Sequence, residues 1–459
     1  MANTSNTAGA SSAAPGAGYR SWVLVMLFLV YAFNFLDRQI ISILAIPIKE
    51  DLGLSDRQLG LLGGIAFAAL YSTLGVPIAW LADRTNRTWI ITVSLTVWSG
   101  FTAVCGFAQN FWQLFLARVG VGVGEAGGVA PSYSLIADYF PPQSRARALA
   151  IYSLGIPIGS AFGVVAGAQI AGGNVGENLD WRAAFIIVGF AGILIAPLFK
   201  LTVREPKRGG LDVKKPDPAE EAKAQPEPGE AASAAAPAET RAEKAPGFGD
   251  VLKVLAKKPS FWFLVLGASC SSMMGYGVFF WIPSFFARSF ELGIIDTGWL
   301  FGGILFVGGS LGILLGGILG DLMGKGSKKM YAIVPATAFF LTFPLYVAGT
   351  LAPTPLIGAL LFVIPTGLGL AWLGPTLSAF QHLAPANMRS MASAVFLLIN
   401  NLLGIGVGVY VLGELSTLLT PTFGAEALRY SIMIGAFLYV IAGALFLLAA
   451  KTIENDWER

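Results

Sequence analysis

Four ionisable side chains interrupt stretches of sequence that are otherwise apolar: Asp37, Arg38, Arg118 and Glu125. Such groups are costly inside a membrane and usually mark paths for ions or substrates. Glu125 has the setting of a proton carrier, because glycine-rich apolar surroundings favour the neutral acid while a nearby arginine favours the carboxylate. The alternative is that Asp37 or Glu125 forms a structural salt bridge that fixes two helices.

The composition indicates the elements that must hold these charges. Of the 459 residues, 55% are hydrophobic and 12% are charged, whereas about a quarter of the residues in soluble domains are charged. Apolar blocks of roughly 20 residues recur along the chain, which is the length of a membrane-spanning helix. The sequence therefore predicts an all-α polytopic membrane protein with twelve transmembrane helices in two pseudo-symmetric six-helix bundles.

The predicted domains follow from the positions of these blocks. Residues 21–201 and 259–451 form the two bundles. Residues 202–258 are rich in Ala, Pro, Glu and Lys, which is typical of a chain that cannot fold alone, and they form a cytoplasmic linker. Residues 1–20 and 452–459 are tails, and the first lacks the basic start and apolar core of a secretory signal.

The depth of the four charged residues predicts that they meet. Asp37 and Arg38 lie about 16 residues into the first span, or about 24 Å along a helix. Arg118 lies about seven residues into the fourth span, which runs the other way, and Glu125 follows on the same helical face. We expect all four to form a cluster that faces a central cavity between the bundles.

Basic residues predict the orientation. Short loops and tails on the side of the termini hold most of the Arg and Lys residues, and the opposite loops hold only Lys49, Arg57, Arg182, Arg288 and Arg429. Both termini are therefore expected in the cytoplasm. The short loops, and two cysteines that both lie in apolar blocks, favour a bacterial inner membrane.

Three pairs of landmarks indicate that the halves are duplicates. They are 240, 238 and 244 residues apart: Asp56 with Asp296, Asp83 with Asp321, and the Pro141/Arg145 pair with Pro385/Arg389. Glycines four residues apart also recur in equivalent spans, where they let helix backbones approach closely. Each such row of glycines forms a ridge on one helix face. We expect these ridges to line one sliding interface between the halves, with static packing as the alternative. The ridges are Gly60 and Gly64 in the second span, Gly155 to Gly167 in the fifth, Gly308 to Gly320 in the eighth, and Gly404 and Gly408 in the eleventh.

The loop ALADRTNR after the second span, its echo GGILGDLMGK and the run LARVGVGVGE resemble the major facilitator superfamily. NFLDRQ and GVGEAGGVAPSYSLIADYFPPQSRARALA resemble its spinster branch, which is linked to export of lysophospholipids and sphingoid lipids. The resemblance implies that the Asp37-Arg38 pair and Glu125 govern coupling. Asn86 replaces the family's loop glycine, and we attribute this to the ease with which Asn adopts left-handed conformations. Leu322 replaces an arginine, so the second copy of the motif is expected to be the weaker gate.

A cytoplasmic gate is predicted where the second span leaves the membrane. Asp83, Arg84 and Arg87 lie close in this fold to Asp138 and Arg145, and their salt bridges can latch the gate. The resemblance implies that Asp83 caps a helix of the other half, where the helix dipole favours an anion, with Asp321 as its counterpart. The alternative is a solvated charged loop.

Other signals concern the cavity and cofactors. Tyr276 and Phe280 are candidates for an apolar cavity wall; Asn400 and Asn401 either line the cavity or bond helices together. The run Gly122, Gly124 and Gly127 follows no strand, so it predicts no dinucleotide site, and the single histidine, His382, lacks neighbours for a metal site. We expect no cofactor, no metal and no nucleic-acid partner.

The function predicted is secondary active transport, coupled to protons, of an amphipathic lipid by alternating access. Charges are concentrated in the first half and aromatic side chains in the second, which suits a polar head group and an acyl chain. The alternative is transport of a small organic anion or drug. A lipid-modifying membrane enzyme or a non-transporting receptor is the alternative of another class, but the sequence carries no catalytic motif. Protons and membrane lipids are the expected partners of a monomer.

Overall fold

A computed structural model describes residues 16–176, 179–209, 248–315, 327–370, 372–385 and 388–458. All regular elements in this part of the chain are helices. Span 1 is Ala17–Ile43, and a short helix, Ala45–Leu52, follows it. The other spans of the first half are span 2 (Asp56–Gly63 and Ile65–Ala82), span 3 (Arg87–Cys105), span 4 (Phe111–Glu125 and Val129–Tyr139), span 5 (Pro142–Ser153 and Gly155–Ala171) and span 6 (Trp181–Thr202).

The second half repeats this arrangement after the linker helix Phe248–Ala256. Three of its spans are span 7 (Pro259–Ser289), span 9 (Met330–Thr350) and span 10 (Pro355–Leu368 and Leu373–His382). Span 8 consists of Ile294–Ile304, the π-helix Leu305–Gly309 and a helical continuation to residue 315. Span 11 consists of Arg389–Asn401, the π-helix Leu402–Val407 and Gly408–Phe423, and span 12 is Ala427–Asp456, after the 3-10 turn Gly424–Glu426. Twelve spans thus occur in the described residues, as predicted.

Ten helical stretches of the described chain are long and apolar enough to cross a membrane. The stretch Met391–Asp456 contains spans 11 and 12, and span 4 consists of two short helices around Ala126. Large apolar side chains remain exposed on the outside of the bundles, among them Leu194, at 72% exposure, and Trp112, at 67%. Lipid is the solvent for such a surface.

Helices also extend into the ranges predicted as tails and linker. Span 1 begins at Ala17, span 12 ends at Asp456, and Phe248–Ala256 is helical. Val251 and Leu255 of this linker helix are fully buried, and the helix packs against spans 7 and 11. The end of the linker is therefore part of the second bundle's surface.

The packing of the spans is pseudo-symmetric. In the first half, span 1 packs along span 5 and span 3 packs along span 6. In the second half, the equivalent spans do the same: span 7 packs along span 11, and span 9 packs along span 12. The halves meet where span 2 contacts span 11, span 5 contacts span 8, and span 1 contacts span 7. We call the membrane face that carries Ala17 and Asp456 the terminal face, and the other the opposite face.

Only one of the predicted glycine ridges lies between the halves. Gly60 and Gly64 of span 2 contact the backbone of span 11. The ridge of span 5 instead packs on Ala32, Leu36 and Ile40 of span 1, and those of spans 8 and 11 pack on spans 10 and 7 within their own half. Gly316 and Gly320 lie outside the described residues. The prediction of one sliding interface lined by all four ridges is wrong, because four-residue spacing defines a helix face but not its neighbour.

The start of span 3 also differs from expectation. Asn86 has φ −73° and ψ 113°, and its side-chain oxygen accepts a hydrogen bond from the backbone N–H of Trp89. Asn86 is therefore the N-cap of span 3 and is not left-handed. Its place in the sequence follows from helix capping, for which Asn is among the preferred residues.

Gly64→Ala tests the contact between the halves. A Cβ atom at Gly64 would lie 2.6 Å from the carbonyl oxygen of Gly406 in span 11, so the variant must separate spans 2 and 11 at an overpacking cost of about 1–3 kcal/mol. A Cβ atom at Gly75 meets nothing within 4 Å, which makes Gly75→Ala the matched control. Spin labels on spans 2 and 11 should report a longer distance for Gly64→Ala alone, and equal distances in both variants would contradict the packing.

Candidate functional site

A buried ion pair joins spans 1 and 4. The Nε atom of Arg38 donates to Oε2 of Glu125 at 2.7 Å, and the two side chains are 11% and 0% exposed. The guanidinium also lies over three aromatic rings, with its central carbon 4.7 Å from the ring centre of Phe67 and 4.4 Å from that of Tyr71. These contacts hold the cation in one place, because the rings attract its charge and exclude water.

Asp37 occupies a different environment from its neighbour Arg38. It is fully buried, and neither of its oxygens accepts a hydrogen bond from a described residue. The charged and polar groups that act on it are Arg118 and Glu125 of span 4 and Thr102 and Trp98 of span 3. Consecutive residues of a helix point about 100° apart. This step explains why Arg38 faces Glu125 while Asp37 faces span 3.

A central cleft lies between the halves. Both arginines of the cluster line it, but Asp37 and Glu125 do not, so the prediction that all four face the cavity is wrong for the two carboxylates. They lie behind the arginines in the first bundle. The full lining is Phe35, Arg38, Gln39, Gly63, Phe67, Arg118, Tyr276, Phe279, Phe280, Ile405 and Val409.

Of the four residues predicted as candidates for the cavity wall, two line the cleft and two do not. Tyr276 and Phe280 of span 7 line the cleft. Asn400 instead accepts a hydrogen bond from the hydroxyl of Ser272 at 3.0 Å, which joins spans 11 and 7. Asn401, half-buried, is not part of the lining. The helix-bonding alternative therefore holds for Asn400, and the aromatic wall comes from span 7.

An ion cluster connects the two halves at the opposite face. Asp56, 4% exposed at the start of span 2, accepts hydrogen bonds from Arg288 at 2.6 and 2.8 Å and from the hydroxyl of Ser416 at 2.7 Å. Lys49 donates to the same carboxylate at 2.7 Å. We call Asp56, Lys49, Arg288 and Ser416 the Asp56 cluster. It joins spans 2, 7 and 11 and thereby closes the opposite face.

A second pair reinforces this closure. Arg57 donates to both carboxylate oxygens of Glu414 in span 11, and its backbone N–H donates to the hydroxyl of Thr417 at 3.0 Å. In the sequence, Asp56 stands out only as a repeat landmark and Arg288 only as a basic residue that indicates orientation. The available signal was the placement of opposite charges at the ends of spans 2 and 7 on the same face.

The terminal face contains a further buried arginine, Arg87, which is 1% exposed. It donates to Asp138 at 2.6 Å and to Glu205, beyond span 6, at 2.6 Å. The pairing of Arg87 with Asp138 matches the predicted gate grouping, whereas Glu205 was missed because it lies in the predicted linker. These bonds connect spans 3, 4 and 6 within one half.

The other gate candidates lie around this arginine. The side chain of Asp83 is exposed, and Arg84 lies over the ring of Trp80 at 4.1 Å. Arg145 donates to the carbonyl oxygen of Ala137 at 2.7 Å. Asp321 lies outside the described residues. The structure thus brings together Arg87 and Asp138, and it leaves the carboxylate of Asp83 at the surface.

The sequence profile of the Major Facilitator Superfamily matches residues 27–409. The chain belongs to the major facilitator superfamily. An "MFS-type efflux pump" of Mycolicibacterium smegmatis is 31% identical to this transporter over 439 residues, covering 95% of this chain and 94% of that protein. Protein spinster homolog 1 of Xenopus tropicalis is 29% identical and is aligned over 97% of this chain and 83% of its own length.

A solved structure has the same fold. It is a bacterial homologue of the human lysosomal transporter Spinster in an inward-facing and unoccupied conformation, with a TM-score of 0.81 and 31% identity over 97% of this chain and all of that one. The transporter therefore lies in the spinster-like branch of the superfamily, as the sequence motifs predicted. It is an integral membrane transporter and not an enzyme, which excludes the membrane-enzyme alternative.

Asp56→Asn tests whether the Asp56 cluster holds the opposite face of this transporter closed. The variant leaves two cations without a buried anion, and loss of one partner of such a group costs about 2–5 kcal/mol. We expect the population with a closed opposite face to fall at least tenfold, measured by spin-label distances between spans 2 and 7. Asp51→Asn is the matched control, because Asp51 is 43% exposed and pairs with Arg182 in its own half. A closed population unchanged in Asp56→Asn would contradict the assignment.

Proposed function

We propose that this transporter couples the uptake and release of protons to the movement of an amphipathic lipid between the two membrane faces. The observation that carries the proposal is the buried Arg38–Glu125 pair behind a cleft whose other wall is aromatic. Withdrawal of the Arg38 side chain from Glu125 leaves Glu125 as a buried carboxylate, which is neutralised most readily by taking up a proton. Return of Arg38 expels that proton.

Asp37 is the second carboxylate of the proposal. It is sealed between spans 1, 3 and 4 and shares Arg118 with Glu125 as a neighbouring charge. Two carboxylates and two arginines are electrically balanced only when both acids are ionised. Protonation of either acid gives the cleft a net positive charge, which attracts an anionic or zwitterionic head group.

The lipid part of the proposal rests on the asymmetry of the cleft. Its polar wall comes from Arg38 and Arg118 in the first half, and Tyr276, Phe279 and Phe280 of the second half form an aromatic wall. An amphipathic molecule matches both walls, with its head group at the arginines and its chain against the rings.

Transport of a small organic anion or drug is the second candidate. Two arginines that line one cleft suit a compact anion. Both candidates use the same charged wall, and they differ in whether the aromatic wall of span 7 binds an alkyl chain.

The gate and the orientation complete the proposal. The basic loops favour a cytoplasmic terminal face in a bacterial inner membrane, so closure of the opposite face corresponds to an inward-facing state. In the outward-facing state Asp83 would cap a helix of the second half, with Arg87 and Asp138 holding its loop. Asp321 is the proposed counterpart. The transporter works as a monomer, since each bundle is complete within one chain.

Glu125→Gln tests the proton part of the proposal. Purified transporter in liposomes with an imposed pH gradient should accumulate a fluorescent lysophospholipid, and the variant should lose the gradient-driven part while exchanging lipid at equal pH. Removal of the carboxylate removes the titrating group but keeps the shape of the side chain. Glu50→Gln, at an exposed position, is the control and should transport like the unmodified protein.

The same liposomes separate the two substrate candidates. A small aromatic anion presented beside the lysophospholipid should not be accumulated and should not compete with it. Accumulation of the anion alone would contradict the lipid assignment and leave proton coupling intact. Full gradient-driven transport by Glu125→Gln would contradict the proton assignment for either substrate.

A further inference from the structure

A second cavity lies between the halves near the opposite face, apart from the central cleft. It shares no lining residue with the cleft. The first half contributes Ile43, Ile46 and Pro47, from the end of span 1 and the helix after it. The second half contributes side chains of span 7, of the loop after it and of the start of span 8, namely Pro283, Ser284, Ala287, Leu292, Ile294 and Thr297.

Two hydroxyl groups in this cavity lack partners. Ser284 and Thr297 are each 1% exposed, and neither hydroxyl makes a hydrogen bond with a described residue. Helical Ser and Thr commonly donate to the carbonyl four residues earlier, but neither residue makes this bond. A buried polar group without a partner costs about 1–3 kcal/mol. An occupant that bonds to both hydroxyls would remove this penalty.

The rest of the lining restricts the chemistry of the occupant. All other lining side chains are apolar, and none of the nine residues is charged. An ionised head group would be desolvated there without a counter-charge, which is strongly unfavourable. An alkyl chain that ends in a hydroxyl or ester group fits these limits.

We propose that this cavity is a binding site for an uncharged alkyl compound with a terminal oxygen function, such as a long-chain alcohol or the ester end of a neutral lipid. Ser284 and Thr297 bind the oxygen, and the Ile, Leu and Pro side chains contact the chain. Because the walls belong to different halves, opening of the opposite face takes the site apart. The occupant therefore stabilises the conformation with a closed opposite face.

The size of this effect follows from mass action. A ligand that binds only one of two conformations raises the ratio of that conformation to the other by the factor 1 + [L]/Kd. This factor is about 100 when the ligand concentration is 100 times Kd. Such a site slows transport without competing for the central cleft. The inference does not depend on which substrate the transporter moves.

The test uses n-octanol, n-octane and octanoate with spin labels across the opposite face of the purified transporter. Octanol should raise the closed population saturably, whereas octanoate should not, because its carboxylate has no counter-charge in the cavity. In the double variant Ser284→Ala, Thr297→Val the apparent Kd for octanol should rise about tenfold, because two hydrogen bonds are lost. The effect of octane should be unchanged in that variant.

Ala287→Leu provides a second variant, because the larger side chain fills the cavity from span 7. It should abolish the octanol effect, while thermal unfolding without ligand reports that the protein is folded. An equal octanol effect in all three proteins would overturn the proposal, since it would reflect a general effect on the surrounding detergent or lipid. The proposal would also be overturned if octanol had no effect on the unmodified protein, as expected for a cavity that holds water only. A stronger effect of octanoate than of octanol would overturn it as well.

Discussion

The buried ion pair between Arg38 and Glu125 is the interaction on which this account of the transporter depends. A single charge at this position in an apolar bundle would be unstable, so the carboxylate must be either paired or protonated. The pair lies just behind the cleft, and the rings of Phe67 and Tyr71 hold its cation in place. Withdrawal of the Arg38 side chain from Glu125 therefore changes the charge state of the site.

The contacts between the two halves differ from the contacts between helices within each half. Within each half, small residues let helices pack closely along their length, as Gly159 does against Ala32. Between the halves, the contacts at the opposite face combine glycines of span 2 with the ion pairs of Asp56 and Arg57. Ion pairs at an interface can be exchanged for water when the halves separate, whereas close backbone packing inside a bundle cannot. This difference suits rigid bundles that rock against each other.

The sequence predicted the twelve spans and the meeting of Arg38 with Glu125, because apolar length and helical depth are local properties of the chain. It did not predict that Asp37 turns away from the cleft, although the 100° step between consecutive helical residues contains that information. The neighbours of the glycine ridges, the partners of Asp56 and the role of Glu205 depend on which spans pack together. Such contacts between distant segments leave no local pattern in a single sequence.

The most direct test of the central claim is the pH dependence of distances between the halves, measured with spin labels at both faces of the unmodified transporter and of Asp37→Asn, Glu125→Gln. If the charge cluster couples protons to movement, acidification should change the distances at the two faces in opposite directions in the unmodified protein. The double variant should show no such change. A pH response that persists in the double variant, or is absent from the unmodified protein, would contradict the account.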